Sequence, residues 1–576
     1  MRVRSLGAVR VLGCVLSIAA CKGGEKGITP PNTAKPCGAS GTVQVSSLHA
    51  LTVACTAGTT VTLAGAGASY LIVPNLATGS AANQPNAYTI GVVSGVSSDL
   101  APAAGPSLNL LPPAAGEMPI GVRRQARQRA FDAALLTNAR RQLASGAWRP
   151  VSRVLSPGAP TSRATVPPVG SIAQFHVLSS ESPVRFTRVG AKLSFVGANI
   201  LLYIDTLAPP SGFTSNQLQA FGQLFDQTLY PIDVNAFGAP SDIDQNGHLI
   251  VLLSPLVNGL TPSSQCDTQG FIAGFFDGID LASSDTSSNH GEIFYSLVPD
   301  PNGTVSCAHT VADIDAVTPP TFLHELQHLI NFGHHVVLHG GASERGWLDE
   351  GLSIVAEELG SLYYEDKYPP PTGRTNPAQL FPDSSQGFIN GLLFLSYSYL
   401  LKTDTATVTL HSDADGGLAW RGSDWLLMRW LGDVKGTAIY KTLVDNSLTG
   451  TANIANAAGE AFDGLFGDFS LALYVDSLPG IPKSSIPVRN RYARRNLRLI
   501  YNRLNTVDPQ DFPRVYPVVP AALTGSISST IVPGTMAFYL LNTTASQSTV
   551  TIDFGASPGV PLSDALHPQL SIFRLP

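Results

Sequence analysis

Two histidines four residues apart constrain the fold of this chain more than any other feature. The segment reads His324-Glu325-Leu326-Gln327-His328, and the apolar residues around it recur at the spacing of an α-helix. Four positions turn a helix by about 400°, so both imidazole rings project from nearly one face. This spacing lets two imidazoles bind one zinc ion, while the adjacent carboxylate lies beside the ion without binding it.

The sequence also predicts where this helix begins and ends. Thr318 is a suitable N-cap, Pro319 and Pro320 suit a first helical turn, and Gly333 suits the end. A carboxylate at the position of Glu325 can take a proton from an attacking water molecule. The alternative is a buried structural helix whose two histidines are satisfied by hydrogen bonds, and the five-residue motif alone does not exclude it.

A third metal ligand has two candidates. Glu350 lies on a second predicted amphipathic helix, which has Ser343 near its N-cap, and would complete a set that leaves one position for water. Asp349 has the same chemistry but is rotated by about 100° on that helix. His334 is the other candidate, because with His324 and His328 it nearly matches the metzincin pattern. That pattern also needs a methionine turn, which is not evident, so we favour Glu350 and leave His334 open.

The two segments together resemble a known family. His-Glu-Leu-Gln-His-Leu-Ile-Asn-Phe (324–332) and Trp-Leu-Asp-Glu-Gly-Leu-Ser (347–353) are similar to hyicolysin-type neutral zinc metallopeptidases, secreted bacterial enzymes related to thermolysin-like zincins with a glutamate ligand. Three flanking segments, 242–247, 289–295 and 425–431, support the resemblance, which covers roughly residues 185–480.

The resemblance implies an activity and a role for each motif residue. His324, His328 and Glu350 would bind Zn²⁺, and Glu325 would be the general base of a zinc metalloendopeptidase that cleaves protein or peptide substrates. No match identifies the residue that stabilises the oxyanion. Tyr295, Tyr397 and His411 are the candidates for that role.

The N-terminus has the pattern of a processing signal. Arg2 and Arg4 precede a short apolar stretch, residues 11–20, which is followed by Cys21 in a sequence that resembles a bacterial lipoprotein cleavage box. Cys21 would then be the lipidated residue, and the membrane would be contacted only through this lipid anchor. The alternative is an ordinary secretory signal, with Cys21 incidental. Both place the protein outside the cytoplasm, anchored to the cell envelope or secreted.

Four further cysteines indicate two disulfides in an oxidising compartment. They are Cys37, Cys55, Cys266 and Cys307, and they allow three pairings. Pairing neighbours, Cys37 with Cys55 and Cys266 with Cys307, keeps each bond within one predicted domain.

The predicted fold class is α+β. A zincin-like metallopeptidase domain, with a mixed sheet, the metal-binding helix and a mainly helical C-terminal subdomain, would be flanked by small β domains. The predicted boundaries are a signal peptide (1–20), a tether (21–36), a small β domain (37–100), a linker with a basic helix (101–180), the metallopeptidase domain (181–510) and a C-terminal β-sandwich-like module (511–576).

Three other segments have more than one interpretation. The basic helix, within residues 121–149, could contact anionic lipid or cover the cleft as a pro-segment, but a solvated helix face is the simpler interpretation. Asp242, Asp244 and Asn246 match the first half of a Ca²⁺ loop, whose closing position is Leu253, so a tight turn is favoured over a calcium site. Residues 292–297 could form an edge strand that pairs with a peptide.

Composition excludes some function classes. A net charge of −6 with 13% charged residues gives no basic surface for nucleic acid, and we expect no nucleic-acid partner. Two alternatives to an endopeptidase stay open: a non-catalytic surface lipoprotein that binds glycan or protein on a degenerate zincin scaffold, and a zinc hydrolase of non-peptide esters or amides. The oligomeric state is not predicted.

Overall fold

The computed structural model describes residues 36–79, 84–94, 126–150, 165–282, 284–369, 381–410 and 418–576. The predicted signal peptide, Cys21 and His411 lie outside the described residues. Within the described part of the chain, no helix has the length and apolar character needed to cross a membrane.

The strands fall into three sheets. In chain order they are β1 (Thr42–Val43), β2 (Ala50–Ala54), β3 (Thr60–Ala64), β4 (Ser69–Leu76), β5 (Asn86–Ser94), β6 (Ile172–Glu181), β7 (Val184–Val196), β8 (Ile200–Asp205), β9 (Leu249–Leu253), β10 (Gly274–Phe276), β11 (Ile293–Ser296), β12 (Ala521–Ala522), β13 (Ser526–Ile531), β14 (Tyr539–Asn542), β15 (Thr549–Gly555) and β16 (Pro568–Arg574).

Of the helices in the described residues, one precedes the central strands, four lie between them, and the rest follow them in the C-terminal half of the chain. They are α1 (Ala126–Ala144), α2 (Ser215–Leu224), α3 (Tyr230–Phe237), α4 (Pro255–Gly259), α5 (Cys266–Gln269), α6 (Val311–Phe332), α7 (Gly346–Lys367), α8 (Asp383–Leu400), α9 (Leu418–Lys435), α10 (Ala438–Val444), α11 (Gly450–Ala458), α12 (Phe462–Val475) and α13 (Leu497–Val507). The predicted α+β class and helical C-terminal region are confirmed.

A six-stranded mixed sheet supports the helices that carry the motif residues. Its order is β10-β11-β9-β8-β7-β6, and β9 runs parallel to both of its neighbours. All five residues of β9 are buried, as expected for a central strand covered on both faces. The edge strands are β10 and β6, so the prediction that residues 292–297 form an edge strand was wrong: they include β11, which lies between β10 and β9.

Aromatic packing fixes α6 against this sheet. Phe322 of α6 contacts Phe294 of β11 edge-on, with ring centroids 5.3 Å apart, and Phe225 at 4.4 Å. Leu323 and Leu326 are also fully buried. Because Phe322 holds one side of α6 on the sheet, the histidines of the same helix are presented to the opposite layer of helices.

The ends of α6 differ from the sequence prediction. The helix begins at Val311, where Thr310 and Asp313 form a capping box, and both prolines lie inside it. Its end is also shifted, because Gly333 has a helical φ of −56° and the chain continues as a π-helix. A Cβ at Gly333 would lie 3.0 Å from Ser241 Oγ, so this glycine serves close packing rather than a turn. Similarly, α7 has Arg345 rather than Ser343 at its N-cap.

The remaining two sheets combine strands of residues 42–94 with strands of residues 521–574. Their orders are β1-β3-β15-β5-β13 and β12-β14-β4-β16-β2, so both sheets contain strands from residues 37–100 and from residues 511–576. The hydroxyls of Tyr88 on β5 and Tyr539 on β14 lie 2.6 Å apart, which places the sheets face to face. The prediction of two separate β modules, at residues 37–100 and 511–576, was therefore wrong, because their strands share both sheets. The strand pattern revealed the strands but not the pairings between the two segments, which join residues more than 400 positions apart.

Both predicted disulfides are present. Cys37 is bonded to Cys55, with Cα atoms 4.7 Å apart, and Cys266 to Cys307, with Cα atoms 5.9 Å apart. Each bond closes a short loop within one region of the fold, so the neighbour pairing is confirmed. The first bond lies beside the two five-stranded sheets, and the second lies beside the cavity next to His324 and Glu325.

Candidate metal centre

The two histidines of α6 face a common point. His324 Nε2 and His328 Nε2 are 3.1 Å apart, and the two ring centroids are 4.8 Å apart. Both residues are buried, with 7% and 3% of their surface exposed. The four-residue spacing on a regular helix produces this convergence.

Glu350 approaches the same point from α7. Its Oε2 lies 3.6 Å from His324 Nε2, and one donor atom from each of His324, His328 and Glu350 lies within 4.8 Å of the others. Glu350 is 1% exposed. Two imidazoles and one carboxylate that converge from two packed helices are a donor set that fits zinc and leaves one position open.

The other nitrogen of each imidazole ring has its own partner. His324 Nδ1 is 2.8 Å from Glu357 Oε1, and His328 Nδ1 is 3.1 Å from Ser353 Oγ and 3.3 Å from Asp349 Oδ2. Such contacts fix the ring orientation and leave both Nε2 atoms for a metal. Sequence reasoning missed Ser353 and Glu357, although they follow Glu350 at the i+3 and i+7 positions of the same helical face.

Charge and burial set the protonation of this group. Burial lowers the pKa of His324 to about 3, and His328 adds to the effect, so this ring is neutral. Burial would also lower the pKa of His328, but Asp349 and Glu350 outweigh it and raise that pKa to about 10. A metal ion bound between the two rings would displace the proton of His328, because only the neutral ring is a ligand.

Arg421 of α9 is a further residue that the sequence did not reveal. It forms a two-point ion pair with Glu350, in which Nη2 lies 3.1 Å from Oε1 and Nη1 contacts Oε2. Burial alone would raise the pKa of Glu350, but Arg421 and then His328 hold it below its usual value. The carboxylate is therefore ionised although it is almost fully buried.

Glu325 lies beside the cluster and outside its donor set. Its Oε2 accepts a hydrogen bond of 3.0 Å from the Phe276 backbone N–H on β10. Its Oε1 is buried and has no hydrogen-bond partner among the described residues. Burial, followed by the nearby Asp132 carboxylate, raises the pKa of Glu325 well above its usual value. A carboxyl group with a raised pKa and a free oxygen suits a group that exchanges protons.

The rival ligand candidates have other partners. His334 contacts Ala239 O at 2.8 Å and Asp445 Oδ1 at 3.2 Å, and it groups with His339 and Asp445 rather than with the histidine pair of α6. Asp349 faces His328 Nδ1 and also accepts from the Asn331 amide. The rotation of about 100° per residue on α7 separates Asp349 from Glu350, as expected.

Neither tyrosine proposed for the oxyanion has a free hydroxyl. Tyr295 donates to Asp280 Oδ2 at 2.6 Å, and the Tyr397 hydroxyl bonds the backbone of Arg514. The third candidate, His411, lies outside the described residues. The residue that fills this role is thus not assigned by the described contacts.

The loop at residues 242–247 gains a carboxylate that sequence reasoning missed. Asp242, Asp244 and Glu292 each place an oxygen within 4.8 Å of the others, although Glu292 comes from a distant part of the chain. Glu292 already accepts from Ser241 Oγ at 2.7 Å and from the Ile243 N–H. The tight turn stays the favoured prediction, and a Ca²⁺ site stays the alternative to it.

A cavity of about 800 Å³ opens beside His324 and Glu325. Its lining includes Gln128, Arg129 and Asp132 of α1, the basic helix. The simpler interpretation of α1 as a solvated helix face was wrong, because its middle turns are buried at this cavity. The sequence pattern showed a charged helix but not the cleft into which it packs.

Comparison with known proteins gives one distant similarity. No known protein-family model matches the chain. Over 175 residues the chain is 26% identical to the neutral metalloprotease ShpI of Staphylococcus hyicus. The match covers 30% of this chain and 36% of that protein, so the chain spans about a third of the length of the relative it matches. The similarity is to a metalloprotease, and the histidine and glutamate cluster is a candidate metal-binding site.

Proposed function

We propose that this protein is an extracytoplasmic zinc-dependent endopeptidase. The observation that supports it most strongly is the convergence of His324, His328 and Glu350, with the unpartnered oxygen of Glu325 beside them. The partial similarity to a neutral metalloprotease supports a protein or peptide as the substrate.

Zinc held by two imidazoles and a carboxylate makes water a nucleophile near neutral pH and polarises a carbonyl group. In the proposed reaction, Glu325 accepts the proton of the attacking water at its free oxygen and then donates it to the leaving amine. The Phe276 N–H keeps the other oxygen of Glu325 fixed. Oε1 of Glu325 can therefore accept or donate a proton without first losing a hydrogen bond to another residue.

The surrounding residues would orient the ligands. Glu357 and Ser353 hold the histidine rings through Nδ1, and Arg421 keeps the Glu350 carboxylate ionised and in place. A buried carboxylate needs such a partner, because an unpaired charge there would be costly.

The two disulfides fit an oxidising compartment. Lipidation of Cys21, with attachment to the membrane only through that lipid, remains part of the proposal, as does the expectation of no nucleic-acid partner. Cys21 lies outside the described residues, and the expectation about nucleic acid rests on the net charge of the sequence.

Substitution of the proposed base tests the function. We expect Glu325→Gln to bind one equivalent of zinc and to lose at least about 100-fold in cleavage of an unfolded protein, because an amide cannot accept the proton. His328→Ala should lose both zinc and activity. Asp366→Asn is the matched control, because Asp366 is an exposed carboxylate in a surface ion pair.

Zinc content is measured by mass spectrometry, and cleavage of reduced, unfolded casein by gel electrophoresis, with and without o-phenanthroline. Full activity of Glu325→Gln would refute the assigned base. If the wild type and the Asp366→Asn control bind zinc but do not cleave the casein, the endopeptidase assignment is not supported. That result would favour a binding lipoprotein or a hydrolase of non-peptide substrates.

A further inference from the structure

Helix α1 lies where an extended peptide would reach the candidate metal centre. Phe131 and Asp132 are 1% and 4% exposed, and the Phe131 ring packs edge-on against Phe275 of β10 at 5.1 Å. The backbone oxygen of Arg129 lies 3.5 Å from Arg421 Nη2. One side of α1 is therefore bound to the edge strand and to the residue that pairs with Glu350.

Gln128 occupies backbone groups next to the open edge of the sheet. Its side-chain amide donates to Gly274 O at 2.8 Å and accepts from the Ala273 N–H at 2.7 Å. These two bonds imitate those of a peptide backbone that adds to an edge strand. On the same strand the Phe276 N–H bonds Glu325. Two groups of β10 that could pair with a substrate, Gly274 O and the Phe276 N–H, are thus already engaged.

Asp132 follows Gln128 by one helical turn and faces the candidate metal centre. Gln128 Nε2 donates to Asp132 Oδ1 at 2.7 Å, which fixes the carboxylate. One donor atom from each of Asp132, His324 and Glu325 lies within 4.8 Å of the others. The unpartnered Glu325 Oε1 is buried in this same group. Two neutral histidines and the Glu350 carboxylate would leave a bound divalent cation with a net positive charge. A second carboxylate would neutralise that charge.

We propose that Asp132 supplies a fourth protein ligand to the metal and that α1 thereby acts as a built-in inhibitory segment. This inference rests on the proposed function. With Asp132 as a ligand, the position of the attacking water would be filled, and Gln128 already holds backbone groups that an added peptide strand would use. Activity then requires that α1 leave the cleft.

Cobalt substitution tests the ligand directly. Co²⁺ alone is bound to the full-length wild type and to Asp132→Ala, Asp132→Asn and Thr137→Ala, and the visible absorption of each is recorded. Thr137 is the matched control, because it is exposed on the same helix. We expect the wild type and Thr137→Ala to share one spectrum, and both Asp132 variants to show a changed spectrum because water replaces a protein ligand.

Two further measurements separate this inference from the proposed function. Zinc should transfer to a chelator on the order of tenfold faster from Asp132→Ala than from Thr137→Ala. Casein cleavage should rise by about tenfold or more in Asp132→Ala, and also in Gln128→Ala, which loses the contacts with β10. Circular dichroism and thermal unfolding establish that each variant is folded, and Asp132→Asn preserves the size of the side chain.

An Asp132→Ala protein with the wild-type cobalt spectrum and zinc-transfer rate would overturn the inference, whatever its activity. A changed spectrum without casein cleavage in any variant would support Asp132 as a ligand and refute the endopeptidase. Full activity of the wild type, with no increase in either α1 variant, would refute the inhibitory role alone.

Discussion

At the scale of single residues, neighbouring carboxylates on α7 have different environments. Glu350 faces His324 and Arg421, whereas Asp349 faces His328 Nδ1 and Asn331. One position on a helix changes the direction of a side chain by about 100°, which is enough to separate a metal ligand from a residue that orients one.

This difference predicts unequal effects of two amide substitutions. Glu350→Gln should abolish stoichiometric zinc binding, because it removes an anionic ligand and leaves Arg421 without its partner. Asp349→Asn should keep the zinc site and weaken it by about 10- to 100-fold, as expected for a residue that orients a ligand. Competition with a fluorescent zinc chelator measures both affinities. The reverse order, with zinc retained in Glu350→Gln and lost in Asp349→Asn, would exchange the two roles.

The residues on α6 and α7 could be predicted because each motif is local. The spacing of His324 and His328 is enough to place their rings together on any regular helix. Arg421 and Asp132 could not be predicted, because they come from helices far away in sequence whose packing no local pattern records. The prolines of α6 misled the prediction of its start, since they suit a first turn but here lie inside a helix that Thr310 begins.

At the scale of elements, α6, α7 and α8 meet closely at one glycine. A Cβ at Gly360 of α7 would lie 2.6 Å from both Leu323 Cδ1 of α6 and Phe388 Cδ1 of α8. The absence of a side chain therefore sets how closely the helix with Glu350 approaches the helix with the histidines.

A small side chain at this contact should be destabilising. Gly360→Ala is expected to lower the free energy of unfolding by about 1–3 kcal/mol through overpacking. Gly464→Ala in α12 is the control, because a Cβ there meets no atom within 4 Å. It should be neutral or stabilise by up to about 1 kcal/mol through helix propensity. Chemical denaturation measures both, and equal effects at the two glycines would contradict the proposed packing.

At the scale of the whole molecule, the strands of residues 42–94 and 521–574 form one structural unit. Strand β16, near the C-terminus, lies between β4 and β2 and pairs with both. The sequence predicted strands at both ends, but each segment alone gave the impression of a separate domain. Pairing between strands so distant in sequence leaves no local signal, because alternation of apolar residues shows only which face is buried.

Loss of packing in the C-terminal strands should therefore reduce the protection of the N-terminal strands against hydrogen exchange. Leu570 of β16 is fully buried, and we expect Leu570→Ala to cost about 2–5 kcal/mol. In hydrogen exchange read by mass spectrometry, peptides that contain β2 and β4 should lose protection together with β16. Ser528→Ala, at an exposed position of β13, is the control. Wild-type protection of β2 and β4 in Leu570→Ala would mean that the N-terminal strands are stable independently.

The most direct test of the account is the position of the metal. Crystals of the purified protein, with diffraction collected on both sides of the zinc absorption edge, would locate zinc by its anomalous signal. We predict one strong peak at about 2.0–2.2 Å from His324 Nε2, His328 Nε2 and a Glu350 oxygen. A zinc peak only at another group, such as His334, His339 and Asp445, would contradict the account.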